Sequence, residues 1–125
     1  MFPFFCELRS ETKNAKTIHI KVNGSNWGLA CNTIHMLDLL SFLSGFTEFS
    51  LDTTFLEDKI YETKRKGFIE LGGRLLARTS RGDTLELIDN RKQENSSVIE
   101  IEFEGKLLEA DESAGCVREY YPDSF

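Results

Sequence analysis

His35 and Asp38 are the one pair of titratable side chains in this 125-residue sequence whose types and spacing suggest proton transfer. Three residues apart on a helix, they are neighbours on one face. An imidazole steadied by a carboxylate can take a proton from a substrate hydroxyl or amine, since histidine changes charge near neutral pH. The same pair would equally serve as a polar stripe on an otherwise apolar helix, and the sequence favours that structural role.

Other catalytic chemistry finds little support. Cys6, Cys31 and Cys116 are odd in number and share no close spacing, which fits reduced thiols in a cytoplasmic protein better than a disulfide framework or a zinc site. His19 falls on the polar side of a strand, far from His35, so a transition-metal site is not expected. No serine lies in a Gly-x-Ser-x-Gly turn, and Gly67, Gly72 and Gly73 do not form a phosphate-cradling loop. The expectation is a non-enzymatic protein without cofactor or metal. Arg81-Gly82-Asp83 reads as a turn rather than an adhesion motif. Two Asn-x-Ser matches, at Asn23 and Asn95, carry no weight without secretion.

The acidic residues are more informative. "SSVIEIEFEG", residues 96 to 105, alternates so strictly that Ile99, Ile101 and Phe103 fall on one side of an extended chain and Glu100, Glu102 and Glu104 on the other. From residue 98 onward, eight acids stand against Lys106 and Arg118, which accounts for the whole formal charge of −6. Residues 64 to 92 lean the other way. Lys64, Arg65, Lys66, Arg74, Arg78 and Arg81 could touch phosphate, but the acidic end would repel the same polyanion, so nucleic-acid binding is not expected. Segregated charge suggests that the acidic end meets something positive.

These residues must be held by a recognisable set of elements. Residues 1 to 8 are apolar, lack the basic start of a signal peptide and read as a first strand. Residues 17 to 22 alternate as a half-buried strand. A helix is expected over 33 to 44, capped by Asn32 and ended by Gly45, with so narrow a polar stripe that it must be mostly buried. A second helix is expected over 52 to 66, started by a Thr54-x-x-Glu57 capping box. After Gly67 the pattern changes to short strands at 68–71, 74–79, 84–89, 99–103 and 106–109, with turns at Gly72-Gly73 and Glu104-Gly105. The expected fold is a single α+β domain over 1–125, a mostly antiparallel sheet of four to six strands with one or two helices on one face. No apolar run is long enough to span a membrane.

Size, acidity and the lack of catalytic signatures together resemble the profile of bacterial immunity proteins, including those paired with contact-dependent inhibition toxins. That resemblance implies a cytoplasmic protein that neutralises a cognate toxin, such as a nuclease with a basic cleft, by binding it. The residues placed in that role are Glu100, Glu102, Glu104, Glu109, Asp111 and Glu112, with Tyr120 and Tyr121 as aromatic anchors. The alternatives are a self-associating adaptor, using the apolar helix or a sheet edge, and a small enzyme using His35 and Asp38.

Overall fold

A computed structural model describes residues 3–12, 14–62, 69–91, 96–111 and 116–121. It contains two helices, α1 (Pro3–Thr12) and α2 (Leu29–Ser44). Eight strands accompany them: β1 (His19–Ser25), β2 (Ser50–Asp52), β3 (Leu56–Glu62), β4 (Ile69–Arg78), β5 (Thr84–Asp89), β6 (Ser96–Phe103), β7 (Lys106–Asp111) and β8 (Cys116–Tyr120). All eight join one sheet in the order β2-β4-β5-β1-β6-β7-β8, with β3 pairing the first half of β4 beside β2.

The α+β class stands, but the expected four to six mostly antiparallel strands do not. The sheet has eight strands and is mixed, because β1 at its centre runs parallel to β5 and antiparallel to β6. A parallel neighbour requires a long crossover. Here that crossover runs through α2 and β2 to β4 before β5 returns to lie beside β1.

Alternation divides the sheet into two faces. Ile20, Val22, Leu85, Leu87, Ile99, Ile101, Phe103, Leu108 and Ala110 are buried on one of them. Leu8 of α1 and Leu29, Leu39, Leu40 and Leu43 of α2 pack there, forming one core. The opposite face carries no described helix.

Several local expectations are corrected. The opening segment is α1 rather than a strand: Pro3 suits the first turn of a helix, and Leu8 and Thr12, one turn apart, are both buried. Where a helix was expected over 52–66, the described residues of that span, 52–62, hold a turn and β3 instead. Asp52 Oδ1 accepts from the backbone N–H of Thr54 at 2.9 Å, closing a turn from which β3 departs. The same carboxylate chemistry that caps a helix also closes an Asx turn, so the local signal was ambiguous. Lys64, Arg65 and Lys66 lie outside the described residues.

Gly72 and Gly73 do not form a hairpin turn but sit inside β4. Glu70 and Gly72 are the buried positions before Gly73, and beyond it the buried positions become Leu75 and Ala77, so the strand changes face by one residue. Gly73 has φ +103°, and a Cβ there would meet the Phe55 carbonyl oxygen at 2.7 Å and the Glu57 nitrogen at 2.8 Å. Gly73→Ala is expected to cost about 2 kcal/mol, combining a left-handed backbone with a clash against β3. Chemical denaturation of the variant measures this directly.

Candidate functional site

The residues expected to bind a partner are not gathered on one surface. Glu100, Glu102, Glu109, Asp111 and Tyr120 share the open sheet face, as the register of β6, β7 and β8 requires. Across it, Glu100 lies beside Lys21 of β1 and Glu109 of β7, while Glu109 lies beside Arg118. Lys21 also neighbours Glu86, and Arg74 Nε pairs with Glu86 Oε1 at 2.8 Å. A shallow groove crosses the centre of this face between His19, Lys21, Thr84, Glu86, Glu100, Glu102 and Leu107. The alternation over residues 96 to 105 thus turns Glu100 and Glu102 to the open face, where Glu100 lies beside Lys21.

Glu104 occupies the turn after β6 with φ +49° and accepts from the backbone N–H of Lys16 at 2.9 Å. It ties the α1–β1 connection to the β6–β7 turn. Tyr121 lies beyond β8, donates to Glu119 at 3.0 Å and stands beside the Lys106 ammonium. Lys106 in turn bridges Glu11 of α1 at 3.1 Å and Glu119 at 3.5 Å. Burial lowers the Lys106 ammonium, and the hydrogen bond and charge of Glu11 outweigh it, so the group is held above its usual range. Glu112 lies outside the described residues. Part of the acidic charge is therefore engaged in holding α1 and β8 to the sheet.

The second constellation lies on the helical layer. α2 begins at Leu29, one turn before the expected start, with Gly28 as its cap in the left-handed region at φ +83°. Asn32 is not the cap: its Nδ2 donates back to the carbonyls of Trp27 at 2.7 Å and Gly28 at 3.0 Å. A helix start leaves backbone N–H groups without intrahelical partners. Here a carboxylate from β4 supplies them. Glu70, only 6 % exposed, accepts from the N–H of Ala30 at 2.6 Å and of Cys31 at 3.3 Å.

The strand ends beside that helix start are equally tied down. Asp89, fully buried, accepts from the N–H groups of Asn26 at 2.8 Å and Arg91 at 2.9 Å, and Trp27 Nε1 donates to the Ile88 carbonyl at 2.7 Å. Asn26 and Arg91 both take positive φ values without being glycine, which costs energy and recurs at functional sites. These contacts gather at the carboxyl ends of β1 and β5, the parallel pair, where open α/β sheets place ligands.

On this anchored helix Cys31, Ile34, His35 and Asp38 form an exposed stripe, with Ile34 59 % accessible. The helix is less buried than its apolar composition suggested. His35 and Asp38 are within a turn of each other, and both are exposed. Sequence reasoning identified this pair but missed Glu70, Asn26, Gly28 and Asp89. Their roles depend on contacts some 40 or more residues away in the chain. Among the described residues no group of three or more His, Cys, Asp or Glu side chains could hold a metal ion. None of the described helices is long and apolar enough to cross a membrane.

No family model matches the chain, and no curated protein matches it in sequence. Among solved structures the fold is similar to that of a dehydrogenase (MviM) from Clostridium difficile, with a TM-score of 0.55 and 13 % identity. The likeness covers 95 % of this chain but 42 % of that one, so the chain spans less than half the length of its structural neighbour.

Proposed function

We propose that this chain is the substrate-side domain of an oxidoreductase, contributing proton transfer through His35. The observation that supports it is the exposed His35–Asp38 pair on a helix with a clamped first turn, in a fold shared with part of a dehydrogenase. His35 takes the hydroxyl proton as an alcohol is oxidised, and Asp38 steadies the resulting imidazolium. This revises the expectation of a non-enzymatic protein.

A dinucleotide does not fit the described residues. A pyrophosphate needs a glycine-rich turn leading from a strand into a free helix N-terminus. The strand-to-helix turn at Trp27-Gly28 leads into α2, but Glu70 already occupies that terminus. On this proposal hydride acceptance lies outside the described residues. Reduced Cys6, Cys31 and Cys116 support a cytoplasmic setting. His35→Gln in the full-length gene product is expected to lower kcat by about 10²- to 10⁴-fold with little change in KM, measured as substrate-dependent cofactor reduction.

A second reading keeps the toxin inhibitor, supported by four carboxylates, Glu100, Glu102, Glu109 and Asp111, on adjacent strands of the open face beside Tyr120. A basic enzyme cleft is its partner, and charge steering speeds the encounter. Reversing Glu100, Glu102 and Glu109 to lysine is expected to weaken binding of a basic partner at least 100-fold while leaving the fold intact. Calorimetric titration checks it, and unchanged affinity removes the acidic face from consideration.

A further inference from the structure

We propose that a second copy of this chain covers the open face of the sheet, related by a two-fold axis along β1, so that the basic end of each face meets the acidic end of the other. His35 takes no part in this contact.

β1 is the middle one of seven strand positions across the sheet, with β5, β4 and the β2–β3 position on one side and β6, β7 and β8 on the other. Charge divides along the same line. The register runs Leu76, Glu86, Lys21, Glu100 and Glu109 in one row from β4 to β7. Arg74 and Arg78 lie two residues to either side of Leu76, on the same face of β4. A two-fold axis along β1 turns the second sheet over and exchanges its ends, so Glu109 of the second copy lands over β4 between Arg74 and Arg78. The same contact recurs at the other end, as an isologous interface requires.

Packed sheets lie about 10 Å apart with their strands within about 30° of one another, a rotation that carries Glu109 toward one of the two arginines. Near the axis, Lys21 stands between Glu86 and Glu100 in each copy, so the carboxylates that approach there meet ammonium groups. A uniformly basic partner fits this face less well, because it presses cations on Arg74 and Arg78. The apolar surface agrees. Ile60 and Ile69, 59 % and 57 % exposed, border Leu71 on the β3–β4 end and leave open an apolar patch of the kind that marks an interface. Six inter-strand spacings of about 4.8 Å make the face about 29 Å wide. That is the breadth of an interface burying about 800 Å² per partner.

Sedimentation velocity of the full-length gene product tests this. The parent should self-associate, and Glu109→Arg, or Arg74→Glu combined with Arg78→Glu, should each weaken the association at least about 100-fold, because the two-fold repeats every like-charge contact. Mixing the two variants in equal amounts should restore the parent's assembly, since one then presents only bases at the contact and the other only acids. A structural lesion cannot be repaired in this way. Should Arg74→Glu unsettle the fold by losing its pairing with Glu86, Arg78→Glu alone takes its place in the mixture. A parent that stays monomeric at every concentration would overturn the inference and leave the face to the basic partner of the second reading. Association that survives both variants, or that mixing the folded variants fails to restore, would overturn it as well.

Discussion

Ile101→Asp should leave no stable folded protein at 37 °C. Ile101 is 1 % exposed in β6, opposite Ile20 of β1 and Leu108 of β7, both also 1 % exposed. An aspartate there strands a carboxylate among aliphatic side chains too deep for water, and its short stem cannot reach the surface. Losing the burial of isoleucine and desolvating the acid together cost about 4 kcal/mol or more, against a total stability of about 5–15 kcal/mol for a domain of this kind. Glu102→Lys, at the adjacent exposed position, should change stability by no more than about 0.5 kcal/mol. Parallel urea denaturations of the two variants check the facing of the whole β6 strand, since a one-residue slip would exchange the two results.

Asp83→Ala is expected to cost about 3 kcal/mol. The carboxylate is fully buried in the turn between β4 and β5. It accepts from the Ile18 N–H at 2.8 Å, the Thr79 hydroxyl at 2.7 Å, and Arg81 at 2.8 Å through Nη2 and 3.0 Å through Nε. Arg81 also donates to the Ala15 carbonyl at 3.0 Å, so one turn holds the α1–β1 connection to the sheet. Alanine leaves those buried donors without an acceptor, whereas Asp83→Asn retains part of the set and should lose less.

The same residue gives the fold an acid limit. Burial pushes the Asp83 carboxyl up, but hydrogen bonds from Arg81, Thr79 and the Ile18 N–H outweigh it and hold the group below the usual carboxylate range. A lowered native value means stability that is complete above the ordinary carboxylate value of about 4 and is lost as pH falls through the native value. Melting temperature should therefore drop steeply below pH 4 in the parent. Asp83→Asn should show a weaker acid dependence.

The elements legible in the sequence were those specified by their own residues. Alternation marked β1, β5, β6 and β7 because one face is buried and the other wet. Gly45, with φ +82° and its N–H donating to the Ser41 carbonyl at 2.8 Å, ended α2 where the glycine indicated. Arg81-Gly82-Asp83 closed a turn, as expected of those residue types. What failed was specified elsewhere. Asn32 looked like a cap, but α2 extends one turn earlier because Glu70, 40 positions downstream, satisfies its first N–H groups. The glycine pair of β4 carries the φ freedom of a turn, yet β3 and β5 pair on either side of Gly73 and convert it to a change of face. The parallel pairing of β1 with β5 leaves no local mark at all.

The candidate site was legible to the same degree. Spacing alone put His35 and Asp38 together, because three residues is less than a helical turn. Exposure was not legible, since the polar stripe appears narrow in a sequence whose other residues are mostly apolar. Charge counting found the acidic end of the chain but could not divide it. The structure sends Glu100, Glu102 and Glu109 to the open face, engages Glu104 with Lys16 and places Tyr121 beside Lys106. A surface is defined by register as well as by composition.

The most direct test of the central reading is steady-state kinetics of the full-length gene product and its His35→Gln variant, with nicotinamide cofactor and a panel of alcohol substrates. The reading predicts substrate-dependent cofactor reduction by the parent and a loss of about 10²- to 10⁴-fold in kcat for the variant at similar KM. Equal turnover by the two proteins would contradict the role given to His35, and no reduction with any alcohol would contradict the oxidoreductase reading itself.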